Sequence, residues 1–223
     1  MRFPWLFYLV AIALGILVIL SYTLDFPRVF AMYILYPLQR CYVAFCFFAL
    51  VMFIGVLGKG SRIRAYFIPI RAELSLLACI FALIHIVRNV PSFVPRLFVQ
   101  TDTLTASNHA SVLVALLLSL LMLLLGITSF KVVKERMLAV VWKRIQRFAY
   151  LFFFLIYLHL GLFLLPSALQ GGTAAGENLI IYTVIFLLYA VLRVFRALRE
   201  RSRQAHLEPV GVPGTVGHVN TPG

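Results

Sequence analysis

The sequence predicts an all-α integral membrane protein: a bundle of six transmembrane helices with both termini in the cytoplasm. Of its 223 residues, 63% are hydrophobic and only 12% are charged, whereas a soluble domain has roughly a quarter charged residues. The mean hydropathy is +1.01, and the basic residues fall between long apolar runs. Too few charged side chains remain to cover a water-facing surface, so the lipid bilayer is the expected environment.

Six segments are apolar and long enough to cross a hydrocarbon core, which takes about 20 helical residues. The first has an apolar run too long for the core of a cleavable signal peptide, and we expect it to remain as a helix. The predicted spans cover residues 5–23, 39–57, 70–88, 110–129, 147–165 and 179–196.

The net charge is +13, and the distribution of the basic residues predicts the orientation of the chain in the membrane. The connections after the second and fourth spans, and the segment after the sixth, are rich in Lys and Arg, whereas the loop 166–178 contains neither. Because basic loops stay in the cytoplasm, this pattern predicts a multi-pass protein of the cell (inner) membrane with cytoplasmic termini. The basic residues do not gather on a polar domain, so we expect no nucleic-acid partner.

The sequence disfavours both an ion-coupled transporter and a metal site built from cysteines. No carboxylate falls deep in a predicted span, which argues against a proton-coupled or cation-coupled transporter. The three cysteines lie in apolar stretches without CxxC spacing, as is typical of buried thiols and not of zinc or iron–sulfur ligands.

Two histidines lie inside apolar helices at matching depth. His85 follows Arg71 by roughly 21 Å of helix and His159 follows Arg147 by roughly 18 Å, at the usual rise per residue. Two neutral imidazoles on facing helices can take both axial positions of a haem iron, and Phe81, Phe153, Phe154 and Leu160 would line the porphyrin. Each histidine could instead hydrogen-bond across helices, although the sequence shows no obvious polar partner beside either.

Two stretches resemble a known family. IRAELSLLACIFALIHIVRNV resembles the third helix of the ferric reductase-like transmembrane domain. LLLGITSFKVVKERMLAVVWKRIQRFAYLFFFLIYLHLGLF is similar to a segment of the haem-binding membrane subunits of periplasmic methionine sulfoxide reductase systems. The matching positions in that segment are Thr128, Ser129, Arg136, Trp142, Arg147, Tyr150 and His159.

The resemblance covers about residues 39–196, which we take as a ferric reductase-like haem-binding domain. Residues 1–38 would hold the first helix and an outer loop. Residues 197–223 would form a cytoplasmic tail that is first basic and then rich in Gly and Pro, a composition typical of disorder.

The resemblance implies that His85 and His159 ligate a b-type haem near the outer face. Gln146 stands where the family has a further histidine, so we predict one haem, with an inner haem absent or weakly held. Arg88, one turn beyond His85, is either a partner for a haem propionate or a solvated arginine at a helix end. His109 could supply a ligand at the outer face, but it is expected to be a loop residue.

Four residues lie at the predicted inner boundary: Trp142, Gln146, Arg147 and Tyr150. Such residues usually anchor a helix at the interface. The functional alternative is a contact with a quinone or with a flavin such as FMN. Because the tail is too short for a flavin-binding or nucleotide-binding domain, the electron donor and acceptor are expected to be separate.

These observations predict an electron-transfer subunit of the cytochrome b kind. It would take electrons from quinol or a cytoplasmic flavoprotein and pass them through the outer haem to an extracytoplasmic reductase subunit. Any oxidoreductase chemistry would then belong to the partner, and the chain would not be a self-sufficient enzyme. Two alternatives remain: direct reduction of ferric iron at the outer face, and a haem-free scaffold or transporter with His85 and His159 as interhelical hydrogen-bonders.

Overall fold

The structure is a computed structural model, and it describes residues 4–21, 24–58, 60–98 and 105–207. All regular elements within these ranges are helical, which confirms the all-α prediction. In chain order they are α1 (Pro4–Leu20), α2 (Arg28–Phe30), a π-helical turn (Ala31–Leu35), α3 (Tyr36–Gln39), α4 (Tyr42–Val56), α5 (Arg62–Phe67), a 3₁₀ turn (Ile68–Ile70), α6 (Arg71–Phe98), α7 (Ala106–Ile127), α8 (Lys131–Arg136), α9 (Ala139–Gln146), α10 (Phe148–Leu169) and α11 (Thr173–Leu207).

Several of these helices can cross a membrane. Four continuous stretches are long and apolar enough: Arg62–Phe98, Ala106–Ile127, Ala139–Leu169 and Thr173–Ser202. A fifth candidate is the pair Arg28–Gln39 and Tyr42–Val56, which is bent by 51°. The remaining apolar helix, α1, has 17 residues, fewer than the usual 20 or so. The chain is therefore a multi-pass membrane protein.

The helices extend beyond the predicted spans. Residues 28–38, expected in an outer loop, are helical, and α6 continues to Phe98 through Pro91 and Pro95. The expected loop 166–178 is reduced to a short turn, where Gly171 adopts a φ of 86°. An apolar environment offers backbone groups no other partner, which favours helix over open loop.

The predicted tail also begins as helix, since α11 runs to Leu207. The rest of the Gly/Pro-rich segment, residues 208–223, lies outside the described residues.

The long helices form a ring in which each packs against the next. The order is α4, α6, α7, α10, α11 and back to α4, with α1 packed against α6 from outside. Consequently α6 and α10, which carry His85 and His159, are not neighbours in the ring. They stand opposite each other, with α7 between them on one side and α4 and α11 on the other.

Two clusters fill the interior. Leu77, Phe81, Ile84, Met122 and Phe152 belong to the first, on the side of α1, α6 and α7. The second is largely aromatic and lies between α4, α10 and α11; it contains Phe45, Phe153, Tyr182 and Tyr189. Many large apolar side chains remain exposed on the outside, such as Leu120 and Ile180, as expected of a surface that faces lipid.

Candidate functional site

The break between α3 and α4 gives His85 its hydrogen-bond partner. Cys41 adopts a left-handed conformation with φ 64°, and the bend leaves the Gln39 carbonyl outside the helical ladder. The Nδ1 atom of His85 lies 2.7 Å from that carbonyl oxygen. A carbonyl oxygen can only accept, so Nδ1 of His85 carries the proton.

His159 has the same kind of partner on α7. Its Nδ1 atom lies 3.0 Å from the carbonyl oxygen of Ser111. The Ser111 hydroxyl, also 3.0 Å from Nδ1, donates to the His159 carbonyl oxygen at 3.1 Å. Ser111 is 1% exposed, so this pair fixes the register of α7 against α10 in the interior.

Both rings are therefore arranged as metal-ligating imidazoles usually are. A ligating histidine commonly donates its second ring N–H to a backbone carbonyl, which fixes the tautomer and leaves the other nitrogen to the metal. Here Nδ1–H is engaged in both rings, and neither Nε2 has a hydrogen-bond partner among the described residues. Both side chains are half-buried.

The imidazoles of His85 and His159 lie on opposite helices of the ring and are close enough to interact electrostatically. Within residues 4–21, 24–58, 60–98 and 105–207, no three His, Cys, Asp or Glu side chains gather, so the four donors of a structural zinc site are not assembled there. Two axial imidazoles are all that a b-type haem requires, so the donor set fits that group.

Of the four residues predicted to line a porphyrin, three are at least half-buried and one is exposed. Phe81 and Phe153 are buried, with Phe81 stacked on Phe47 at 5.9 Å; Leu160 is half-buried. Phe154, however, is 58% exposed on the outer surface, so its prediction as a lining residue was wrong. Phe152 is buried and lies two helical turns before His159, on the same face of α10.

Two further predictions are corrected. His109 lies in the first turn of α7 and not in a loop. The expectation that no polar group lies near the histidines was also wrong, because Gln39, Ser111 and Asn89 all contact them. The Asn89 amide donates to the His85 carbonyl oxygen at 2.8 Å, and its i+4 spacing was the one signal visible in the sequence.

Arg88 is half-buried one turn beyond His85. That position keeps it on the same helical face as the imidazole.

The four residues predicted at the inner boundary do not form one site. Trp142 Nε1 donates to the Thr128 carbonyl at 3.0 Å, and Gln146 Nε2 donates to the Thr128 hydroxyl at 3.1 Å. These two side chains hold α9 against the end of α7. Arg147 is exposed beside Lys143 and Arg144 on a surface groove. The Tyr150 ring lies under Arg193, 4.9 Å from its guanidinium carbon.

The chain is 40% identical over 168 residues to an uncharacterised protein of Treponema pallidum (strain Nichols). The match covers 75% of this chain and 46% of that protein, so the chain spans about half the length of its relative. No family model and no solved structure matches the chain.

Proposed function

We propose that the protein is a membrane cytochrome b subunit in which His85 and His159 would hold one b-type haem. The observation that carries this proposal is the shared state of the two imidazoles. Each donates Nδ1–H to a backbone carbonyl, at 2.7 Å and 3.0 Å, and each keeps its Nε2 lone pair without a protein partner in the described residues. Support also comes from the sequence resemblance to the ferric reductase-like transmembrane domain.

In this proposal the chain crosses the membrane six times. α1 and the bent pair α2–α4 supply the first two spans, and the four long helical stretches supply the rest. The basic segments α5, α8, α9 and the end of α11 lie in the cytoplasm, which places both termini inside and the protein in the cell (inner) membrane. Both histidines then lie toward the outer leaflet.

The haem, when bound, supplies reversible one-electron chemistry. The chain's own residues hold and orient it: the Gln39 and Ser111 carbonyls fix the imidazoles, and Phe81 and Phe152 exclude water. Arg88 is placed to pair with a propionate. Electrons enter from quinol or a cytoplasmic flavoprotein and leave to an extracytoplasmic reductase partner. Substrate reduction belongs to that partner, and so the chain alone is not a complete enzyme.

The second candidate is a haem-free scaffold or transporter. The observation that favours it is that both histidines already bridge helices, His85 to α3 and His159 to α7. This role uses only Nδ1, however, and it leaves the Nε2 atoms of both histidines without a function. Cytochrome ligation uses both nitrogens.

Spectroscopy of the purified protein tests the proposal. Protein from haem-replete cells should show a b-type spectrum that changes on reduction with dithionite. A pyridine haemochromogen assay should give one haem per chain, because Gln146 replaces a potential second ligand and bonds to Thr128. A colourless, well-folded preparation would favour the scaffold, and two tightly held haems would contradict the one-haem assignment.

A further inference from the structure

A groove lies on the exposed surface of α9, where that helix leads into α10. Its volume is about 180 Å³, and the residues that line it are Val140, Lys143, Arg144 and Arg147; we call it the basic groove. Arg147 has helical backbone angles, with φ −68° and ψ −24°, so the helical path continues through it. The four positions are spaced i, i+3, i+4 and i+7, and they therefore share one helical face.

The opposite side of α9 fixes how this face is presented. Trp142 and Gln146 both bond to Thr128 at the end of α7, at 3.0 Å and 3.1 Å. The Lys134 ammonium lies 4.7 Å from the centroid of the Trp142 ring. All four residues that line the basic groove are exposed. The helix is thus anchored on one side, and its basic face remains open to the surroundings.

The three cations of the basic groove are not neutralised by the chain itself. Among the described residues, the side chains of Lys143, Arg144 and Arg147 make no hydrogen bond or ion pair. Glu135, the acidic residue nearest to them in the sequence, is paired with Lys131 at 3.8 Å. The groove therefore carries three positive charges, and none of the residues that line it is acidic.

Apolar side chains adjoin these charges. Val140 lines the groove and is 69% exposed, and Leu138, just before α9, is 76% exposed. The groove also lies at one end of Ala139–Leu169, a helical stretch long and apolar enough to cross a membrane. A surface that is basic, bordered by apolar side chains and placed at a membrane boundary suits an amphiphile with a negative headgroup better than a soluble anion.

We infer that the basic groove binds the headgroup phosphate of an anionic phospholipid. The guanidinium groups of Arg144 and Arg147 can donate paired hydrogen bonds to phosphate oxygens, and the Lys143 ammonium adds a further positive charge. Basic residues next to a membrane-spanning helix attract anionic lipids of the cytoplasmic leaflet. The assignment to that leaflet rests on the proposed orientation of the chain, whereas binding itself does not depend on haem.

Lipid titration of the purified full-length chain tests this inference. Delipidated protein in detergent would be titrated with phosphatidylglycerol, with phosphatidylcholine and with inorganic phosphate, and bound ligand would be counted by native mass spectrometry. The groove variant combines Arg144→Gln and Arg147→Gln. The control combines Arg199→Gln and Arg201→Gln, which remove the same charge from exposed positions of α11. Because all four side chains are exposed, both variants should fold, and their thermal midpoints check this.

The expected result is saturable binding of phosphatidylglycerol, which the groove variant weakens about tenfold or more while the control binds nearly as the wild type does. Phosphatidylcholine and inorganic phosphate should bind much more weakly. Equal binding of the two lipids, equal losses in the groove variant and the control, or binding of inorganic phosphate as tight as that of phosphatidylglycerol would overturn the inference. A preparation without haem would contradict the proposed cytochrome and leave these binding results as they are.

Discussion

The Nδ1 atom of His85 lies 2.7 Å from the carbonyl oxygen of Gln39. That carbonyl is available because the chain bends by 51° between Gln39 and Tyr42, where Cys41 has a positive φ. A defect in one helix therefore provides the hydrogen bond that orients a side chain on another. The same bond selects the tautomer whose Nε2 can bind iron.

The conformation of Cys41 makes this bend sensitive to substitution. Cys41→Gly should preserve haem binding, because glycine adopts φ 64° without steric cost. Cys41→Val should lower stability by roughly 1–2 kcal/mol and reduce haem content, since a branched side chain opposes the left-handed conformation. Haem occupancy and the thermal midpoint in detergent are the measurements. Equal haem occupancy in both variants would show that the conformation of Cys41 is not needed to orient His85.

Ser111 provides a second test of the site. Ser111→Val adds volume at a position that is 1% exposed, and overpacking of this kind costs about 1–3 kcal/mol. It should push α10 away and lower haem occupancy. The matched control is Ser119→Val on the same helix, where the hydroxyl only bonds back to Ala115 at 2.8 Å. Similar losses from the two substitutions would show that Ser111 has no special role.

Arg196 stabilises the end of α4. Its guanidinium donates to the carbonyl oxygens of Gly55 and Leu57, the latter at 2.9 Å. Arg196→Met keeps much of the side-chain length but leaves both acceptors without this donor, at a cost of about 1–3 kcal/mol. Arg199→Met is the control, on an exposed position of the same helix. A thermal midpoint unchanged by Arg196→Met would contradict this role.

The orientation in the membrane can be tested by labelling. In a background without Cys41, Cys46 and Cys79, a single Thr173→Cys substitution, at an exposed position at the start of α11, should react with a membrane-impermeant maleimide in intact cells. A cysteine at Lys143 should react only after the membrane is permeabilised, because basic segments stay in the cytoplasm. The reverse pattern would overturn the proposed topology.

The sequence was sufficient to predict an all-α membrane protein and the long apolar helices, because apolar length is a local property, but it did not predict the helical residues 28–38. It could not supply Gln39 or Ser111 as partners, since those contacts depend on how α3 and α7 pack against α6 and α10. Nor could it show that Phe153 is buried and Phe154 exposed, since the two are adjacent in a uniformly apolar run. The third span was predicted to end at residue 88, yet helix continues to Phe98 through Pro91 and Pro95, as favoured where a membrane environment penalises open backbone.

The absorbance of alanine variants decides whether His85 and His159 together ligate a haem. His85→Ala, His159→Ala and His109→Ala would be purified from haem-replete cells alongside the wild type. The wild type and His109→Ala should show a reducible b-type spectrum, which the other two variants should lose while they remain folded. A haem spectrum retained in either His85→Ala or His159→Ala, or a wild-type protein without haem, would contradict it.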